Sequence, residues 1–229
     1  MRRTAVYAGT RNIYGNMAAA AKSLLKNTRM DRVFFLIEDD AFPEQLPGVI
    51  RCVNVSGQTI FSTEGPNYAR QWTFMALMKL ALERVLPAEE KRVLWLDADT
   101  IADDDLAPLL EMDLEGNLMA AVEEPGRSRH PFVYYNAGVL LMDLEEIRNS
   151  GKGREMTELV NRRRLDYPDQ DAINLLCQTR IRRVEPDWNA CRWTMRVPAP
   201  AVRHFAADKD YGERPAFRQY KTAKWEVRT

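Results

Sequence analysis

The chain has little histidine, little cysteine and no long apolar run. Two histidines and three cysteines stand among 229 residues. The cysteines Cys52, Cys177 and Cys191 are odd in number, widely separated and without zinc-ligand spacing. This argues against a disulfide framework or a structural zinc site and for a reduced intracellular setting. No apolar stretch is long enough to cross a bilayer or serve as a secretory h-region, and Met1-Arg2-Arg3 leads directly into a short strand. A soluble, cytoplasmic protein is expected. Charge of neither sign dominates: Lys plus Arg and Asp plus Glu each number 33, so nothing electrostatic calls for nucleic acid. A chain of this length buries one sizeable core, and a single domain over 1–229 is expected, with a loop-rich tail from about 205.

What the chain does have is alternation. Apolar runs suited to strands occupy Thr4 to Ala8, Arg32 to Ile37, Val49 to Val55, Arg92 to Leu96, Leu118 to Val122, Phe132 to Met142 and Ile181 to Val184. Helical periodicity runs from Tyr14 to Lys26 and, apolar almost all round, from Tyr68 to Leu86. Asp103-Asp104-Asp105 places acids at the start of a short helix ending near Leu110. Further helices are expected over Leu144 to Arg148, Arg154 to Arg164 and Asp169 to Gln178, with turns over Glu123 to His130. Strand and helix in this order predict an α/β fold, a mostly parallel sheet with helices on its faces.

The most informative stretch is Leu94-Trp95-Leu96-Asp97-Ala98-Asp99-Thr100, an apolar strand ending in two carboxylates. In an extended segment residues two apart point the same way, so Asp97 and Asp99 can converge on one hard cation, Mg²⁺ or Mn²⁺. The competing reading is a helix cap followed by a solvated loop. His204, where a short apolar segment meets a polar loop, is a candidate third ligand and favours Mn²⁺; a structural histidine is the alternative. Lys79 interrupts an apolar helix and needs an anionic partner if buried, unless it snorkels to the surface.

Other polar groups fall at expected strand ends. Asn136-Ala137-Gly138 breaks an apolar strand, marking either a β-bulge or close approach of a ligand to the backbone. Asp169-Gln170-Asp171 follows Tyr167-Pro168; these groups suit a helix start, and they can also grip sugar hydroxyls. Thr10, Asn12 and Tyr14 follow the first strand, where α/β sheets receive nucleotides. Tyr14 is a candidate for base stacking or for stapling its helix, and Asp39 and Asp40 for caps or ribose contacts. Lys209 and Tyr211 are within reach of a phosphate near His204. The basic clusters Arg162 to Arg164 and Arg180 to Arg183 read as solvated faces or as a surface for an anionic acceptor, and the aromatic-basic tail Phe217 to Arg228 as a candidate peripheral membrane contact.

Four stretches in order resemble glycosyltransferase family 8, the retaining GT-A enzymes that include glycogenin and bacterial lipopolysaccharide galactosyl- and glucosyltransferases. They are Val93 to Thr100, Tyr135 to Leu141, Asp169 to Asn174, and His204-Phe205. The resemblance, from Tyr7 to about Tyr211, implies a Rossmann-like GT-A domain with a mixed sheet, a UDP-sugar donor and a saccharide or glycolipid acceptor. It implies a divalent ion, usually Mn²⁺, on Asp97, Asp99 and His204. It matches Ala8, Thr10, Asn12 and Tyr14 to the uridine pocket, with Ala98, Ala137 and Gly138 also at the donor. Lys79, Asn136, Asp169 and Gln170 match the donor-sugar side. The loop after His204, Ala206-Ala207-Asp208-Lys209-Asp210-Tyr211, is one residue shorter than the family's and lacks its glycine, proline and tryptophan, which bears on the phosphate contact of Lys209. Two rivals accompany this reading. One is a degenerate fold that binds a nucleotide sugar without turnover. The other is a haloacid-dehalogenase-like phosphatase, which needs a threonine where Ile101 stands.

Overall fold

The computed structural model describes residues 2–69, 73–129 and 131–228. In chain order, β1 (Thr4–Ala8) leads to α1 (Tyr14–Asn27), β2 (Arg32–Ile37) and β3 (Ile50–Asn54). Next come α2 (Thr73–Leu77), α3 (Leu82–Val85), β4 (Arg92–Leu96), β5 (Thr100–Ala102) and α4 (Ala107–Leu110). Then follow β6 (Met119–Val122), β7 (Val139–Asp143), α5 (Leu144–Ser150), α6 (Lys152–Arg162), α7 (Pro168–Cys177) and β8 (Ile181–Val184). The last elements are β9 (Val202–His204) and α8 (Pro215–Lys221). Seven strands form one sheet in the order β3-β2-β1-β4-β7-β6-β8, in which β7 alone runs antiparallel to its neighbours. β5 and β9 make a separate antiparallel ribbon.

Both faces of the sheet are covered, which is why its central strands read as unbroken apolar runs. Alternate residues divide between two cores. Ala5, Tyr7, Phe35, Leu94 and Leu96 pack with Ala19 and Leu24 of α1 and Phe217 of α8. Val6, Phe34, Val93 and Trp95 pack on the other side with Met75, Leu82, Ile147, Met156 and Ile173, from α2, α3, α5, α6 and α7. The strand order reverses direction between β1 and β4, and such a crevice at the carboxyl ends of the strands is where open α/β sheets bind ligands.

Four expectations are corrected. The Tyr68 to Leu86 helix is not continuous: α2 gives way to a 3-10 turn at Met78–Ala81 before α3, and residues 70–72 lie outside the described ones. The tightened turn carries Lys79 inward. The Phe132 to Met142 strand begins only at Val139, because the preceding donors leave the ladder: Ala137 N–H bonds Gln170 Oε1 and Gly138 N–H bonds Asn136 Oδ1. Asp103 to Asp105 do not open a helix; α4 starts at Ala107, and β5 precedes them. The tail is not merely loop. α8 lies on α1, and Trp225 packs against the core beneath the ammonium of Lys22.

Phe217 is fully buried, edge-on to Phe205 and Tyr211 at ring separations of 5.4 and 5.0 Å. Its burial turns the tail's first aromatic residue inward. Truncation, Phe217→Ala, is expected to destabilise the protein by about 3–5 kcal/mol, measured by urea unfolding. A change under about 1 kcal/mol would mean that the tail does not belong to the cooperative core.

Candidate active site

β4 delivers Asp97 to the carboxyl end of the sheet, and a tight turn rather than extended chain brings Asp99 beside it. Thr100 holds that turn, with its N–H and hydroxyl both donating to the Asp97 carbonyl, at 3.1 and 2.8 Å. The two carboxylates therefore converge by turn geometry, not by strand alternation. The ribbon supplies the third group. Thr100 pairs with His204 across β5 and β9, and the Phe205 N–H bonds the Asp99 carbonyl at 2.9 Å. His204 Nε2 then lies 3.3 Å from Asp99 Oδ1 and 3.9 Å from Asp97 Oδ2. One ligand atom from each residue falls within 4.8 Å of the others. An octahedral Mg²⁺ with ligands at about 2.0–2.1 Å has neighbouring ligands roughly 3 Å apart, so small side-chain movements close this set on an ion. The O, O, N donor set suits Mn²⁺ or Mg²⁺.

Gly138 makes the convergence possible. A Cβ there would sit 2.0 Å from His204 Cε1, so the imidazole packs directly on the backbone. Burial works to lower the His204 pKa, but Asp99 and more weakly Asp97 outweigh it and hold it well above the usual histidine value.

Lys79 is 1% exposed and joins the two sides of the site. Its ammonium lies 2.6 Å from Asp169 Oδ2 and 3.0 Å from Asp97 Oδ1, and it donates to the Ala137 carbonyl at 3.0 Å. Burial alone would depress its pKa; the two carboxylates reverse that and raise it. Trp95 Nε1 donates to the same Asp97 oxygen at 2.7 Å. Burial raises the pKa of Asp97, against the lowering effect of Lys79. Asp97 and Asp169 thus share one lysine while Asp99 faces His204, so three carboxylates gather around a single ammonium, a surplus of negative charge that a divalent cation would offset.

These groups line a cavity of about 560 Å³. Ala8, Thr10, Asn12, Ala98, Asn136, Ala137, Asp169, Gln170 and Lys209 line it too, Lys209 from an exposed position at the rim. Tyr14 is not brought there. It is 2% exposed, with its ring against Phe42 and its hydroxyl between Asp39 Oδ2 and the Glu38 N–H. Asp39 is engaged with Arg11, and Asp40 accepts from Asn54, so both act locally. Arg180, Arg182 and Arg183 each carry a carboxylate partner.

Sequence reasoning missed two acidic-end and amide residues of this cavity region. Glu124 is 2% exposed at the carboxyl end of β6, the same signal that marked Asp97, and it pairs with Arg127 at 2.8 Å. Arg127 in turn stacks on the Tyr167 ring at 3.7 Å. Asn189 is fully buried behind His204, and no local sequence feature announces it.

The fold has solved counterparts. Glycosyltransferase GlyE of Streptococcus pneumoniae matches with a TM-score of 0.73, covering 98% of this chain and 61% of that one at 19% identity. The galactosyltransferase LgtC, solved in complex with donor and acceptor sugar analogs, gives a TM-score of 0.70 over 95% of each chain at 23% identity. The seven-stranded mixed sheet flanked by helices is thus a GT-A fold. In sequence, Glycosyltransferase GlyB of Streptococcus pneumoniae is 28% identical over 149 residues, 61% of this chain and 35% of that protein. The chain spans between 35% and 52% of the first curated relatives it matches. The model of glycosyl transferase family 8 matches residues 5–198, and the chain belongs to that family. The dehalogenase-like alternative falls with that match.

Two substitutions probe the site's construction. Gly138→Ala is expected to push the imidazole aside, weakening Mn²⁺ binding at least about tenfold in an EPR titration while circular dichroism stays that of a folded chain. Unchanged affinity would separate His204 from the metal. Ala207, at φ 59°, holds a left-handed conformation in the loop after His204. Ala207→Gly is expected to stabilise the protein by about 0.5–1 kcal/mol in urea unfolding, the relieved strain exceeding the added chain entropy.

Proposed function

We propose that this chain is a retaining hexosyltransferase that moves a hexose from a UDP-sugar to a hydroxyl of a saccharide or glycolipid acceptor. Asp97, Asp99 and His204 would hold Mn²⁺ or Mg²⁺, and the setting is the cytoplasm, in keeping with three free thiols. No helix among the described residues is long and apolar enough to cross a membrane. The observation that carries the reading is the convergence of two carboxylates and an imidazole nitrogen within 4.8 Å at a 560 Å³ cavity. Family membership and the LgtC likeness support it, the latter having been solved with donor and acceptor sugar analogs.

When bound, the cation supplies Lewis-acid stabilisation of charge on a departing diphosphate. The chain's own residues do the rest. Ala8, Thr10 and Asn12 border the nucleotide end of the cavity. Lys209, at the rim, is placed to meet a phosphate oxygen. Lys79 holds the Asp169 carboxylate beside the donor-sugar side, and its charge opposes the spread of Asp97 and Asp169. Gln170 Oε1 is fixed by the Ala137 N–H at 2.9 Å, which orients the first turn of α7 toward the sugar. Asn136 retains one amide hydrogen for a sugar hydroxyl beyond those bonded within the protein. Neither Asp169 nor Gln170 is assigned as a nucleophile.

The test is UDP release from UDP-glucose, UDP-galactose and their N-acetyl forms, with Mn²⁺ and with EDTA. Mn²⁺-dependent release of UDP, reduced roughly 100-fold or more in Asp99→Ala, is the expected result, a loss of about 3 kcal/mol of transition-state stabilisation. UDP-sugar binding without release would define a non-catalytic nucleotide-sugar-binding protein. Absence of binding with metal present would overturn the reading.

A further inference from the structure

Behind His204 runs a chain of buried amides whose hydrogen-bond polarity has only one solution. It begins at two groups that cannot change role. The backbone N–H of Gly138 can only donate, and it points at the Asn136 side chain at 3.0 Å. The Glu124 carboxylate, paired with Arg127, can only accept, and it faces the other end of the same amide at 3.2 Å. Asn136 must therefore present its oxygen to Gly138 and its nitrogen to Glu124. That oxygen also faces Asn189 at 2.8 Å, so Asn189 must offer its nitrogen there. Its oxygen is left turned to His204 Nδ1, at 2.9 Å. Nδ1 must then carry a hydrogen. Asn136, Asn189 and Glu124 are all at most 3% exposed, so water does not offer an alternative set of partners.

We infer that Asn189 is a positioning residue, locked by Asn136, Gly138 and Glu124, that fixes a proton on His204 Nδ1 and so keeps Nε2 as the ring nitrogen turned to a cation between Asp97 and Asp99. The inference rests on the proposed metal site. Its logic is that of a ligating imidazole whose second nitrogen donates to a fixed acceptor, which sets both the ring's orientation and its tautomer. The Asn189 carbonyl accepts from Thr194 Oγ1 at 2.9 Å, which anchors the residue's backbone as well. Glu124 and a different fixed donor, the Ala137 N–H, bracket Gln170 in the same way: its Nε2 donates to Glu124 Oε2 at 3.1 Å and its Oε1 accepts from Ala137 N–H. Glu124 is thereby the common acceptor for Asn136, which reaches His204 through Asn189, and for Gln170 at the cavity.

The first test needs no metal and no substitution in the carboxylate pair. The full chain contains two histidines, so imidazole ¹⁵N spectra of labelled protein resolve His204 readily. A His204 Nδ1–H that exchanges slowly with solvent, and exchanges much faster in Asn189→Leu, is expected. A His204 Nδ1 without a proton, or exchange unaffected by the substitution, overturns the inference. The second test is Mn²⁺ affinity by EPR. Asn189→Leu should weaken binding about 10- to 100-fold, whereas Asn189→Asp, which keeps an acceptor for Nδ1–H but sets its second oxygen against Asn136 Oδ1, should weaken it clearly less than Asn189→Leu. Equal weakening in both variants, or none in either, overturns the inference and leaves Asn189 a packing residue. Absence of Mn²⁺ binding by the parent chain fails the metal reading itself, a result distinct from intact parental binding with an indifferent Asn189.

Discussion

One ammonium ion holds the two halves of this site together. Lys79 is buried between Asp97, at the end of the central strand, and Asp169, at the start of α7. A buried lysine without partners would be forced toward its neutral form, and two carboxylates this close without a cation would repel each other. Each group is tolerable only because the others are there. Removing one member of such a buried set typically costs about 3–5 kcal/mol, since what remains is an uncompensated charge. The local backbone conforms to this requirement: the helix that carries Lys79 tightens into a 3-10 turn at that point.

Close packing supplies the second constraint. His204 reaches the carboxylates because the β5–β9 ribbon places it opposite Thr100 and because Gly138 has no side chain to obstruct the ring. The irregular segment before β7 has a related cause. The N–H groups of Ala137 and Gly138 serve Gln170 and Asn136 instead of a neighbouring strand, so the ladder is interrupted at the cavity wall. Loss of regular pairing here is accompanied by full satisfaction of the buried polar groups involved, as a low-dielectric site demands.

Electrostatically the cavity is divided. On one side Asp97, Asp99 and Asp169 exceed the positive charge of Lys79, an imbalance suited to a divalent cation. On the other, Glu124 is balanced by Arg127, which is itself stacked on Tyr167.

Much of this was legible in the chain itself. Short unbroken apolar runs separated by helical periodicity specify a layered α/β fold, because a sheet covered on both faces requires strands apolar on both sides. β1, β2, β4 and β8 fall at the expected residues for that reason. An apolar strand ending in Asp97-Ala98-Asp99, and a lone Lys79 in an apolar helix, also announce themselves, since burying charge without a partner is so costly. Tertiary structure alone decided the rest. Whether Tyr14 turned outward or inward depended on Phe42 and Asp39, contacts made through a loop the local pattern does not describe. Three-residue strands such as β5 and β9 have too little sequence to show a period, and their pairing joins residues about a hundred positions apart. The roles of Glu124, Asn136 and Asn189 are set by which hydrogen-bond partner each finally meets. An amide can donate or accept with equal ease, so its direction is determined only when the fold fixes its neighbours.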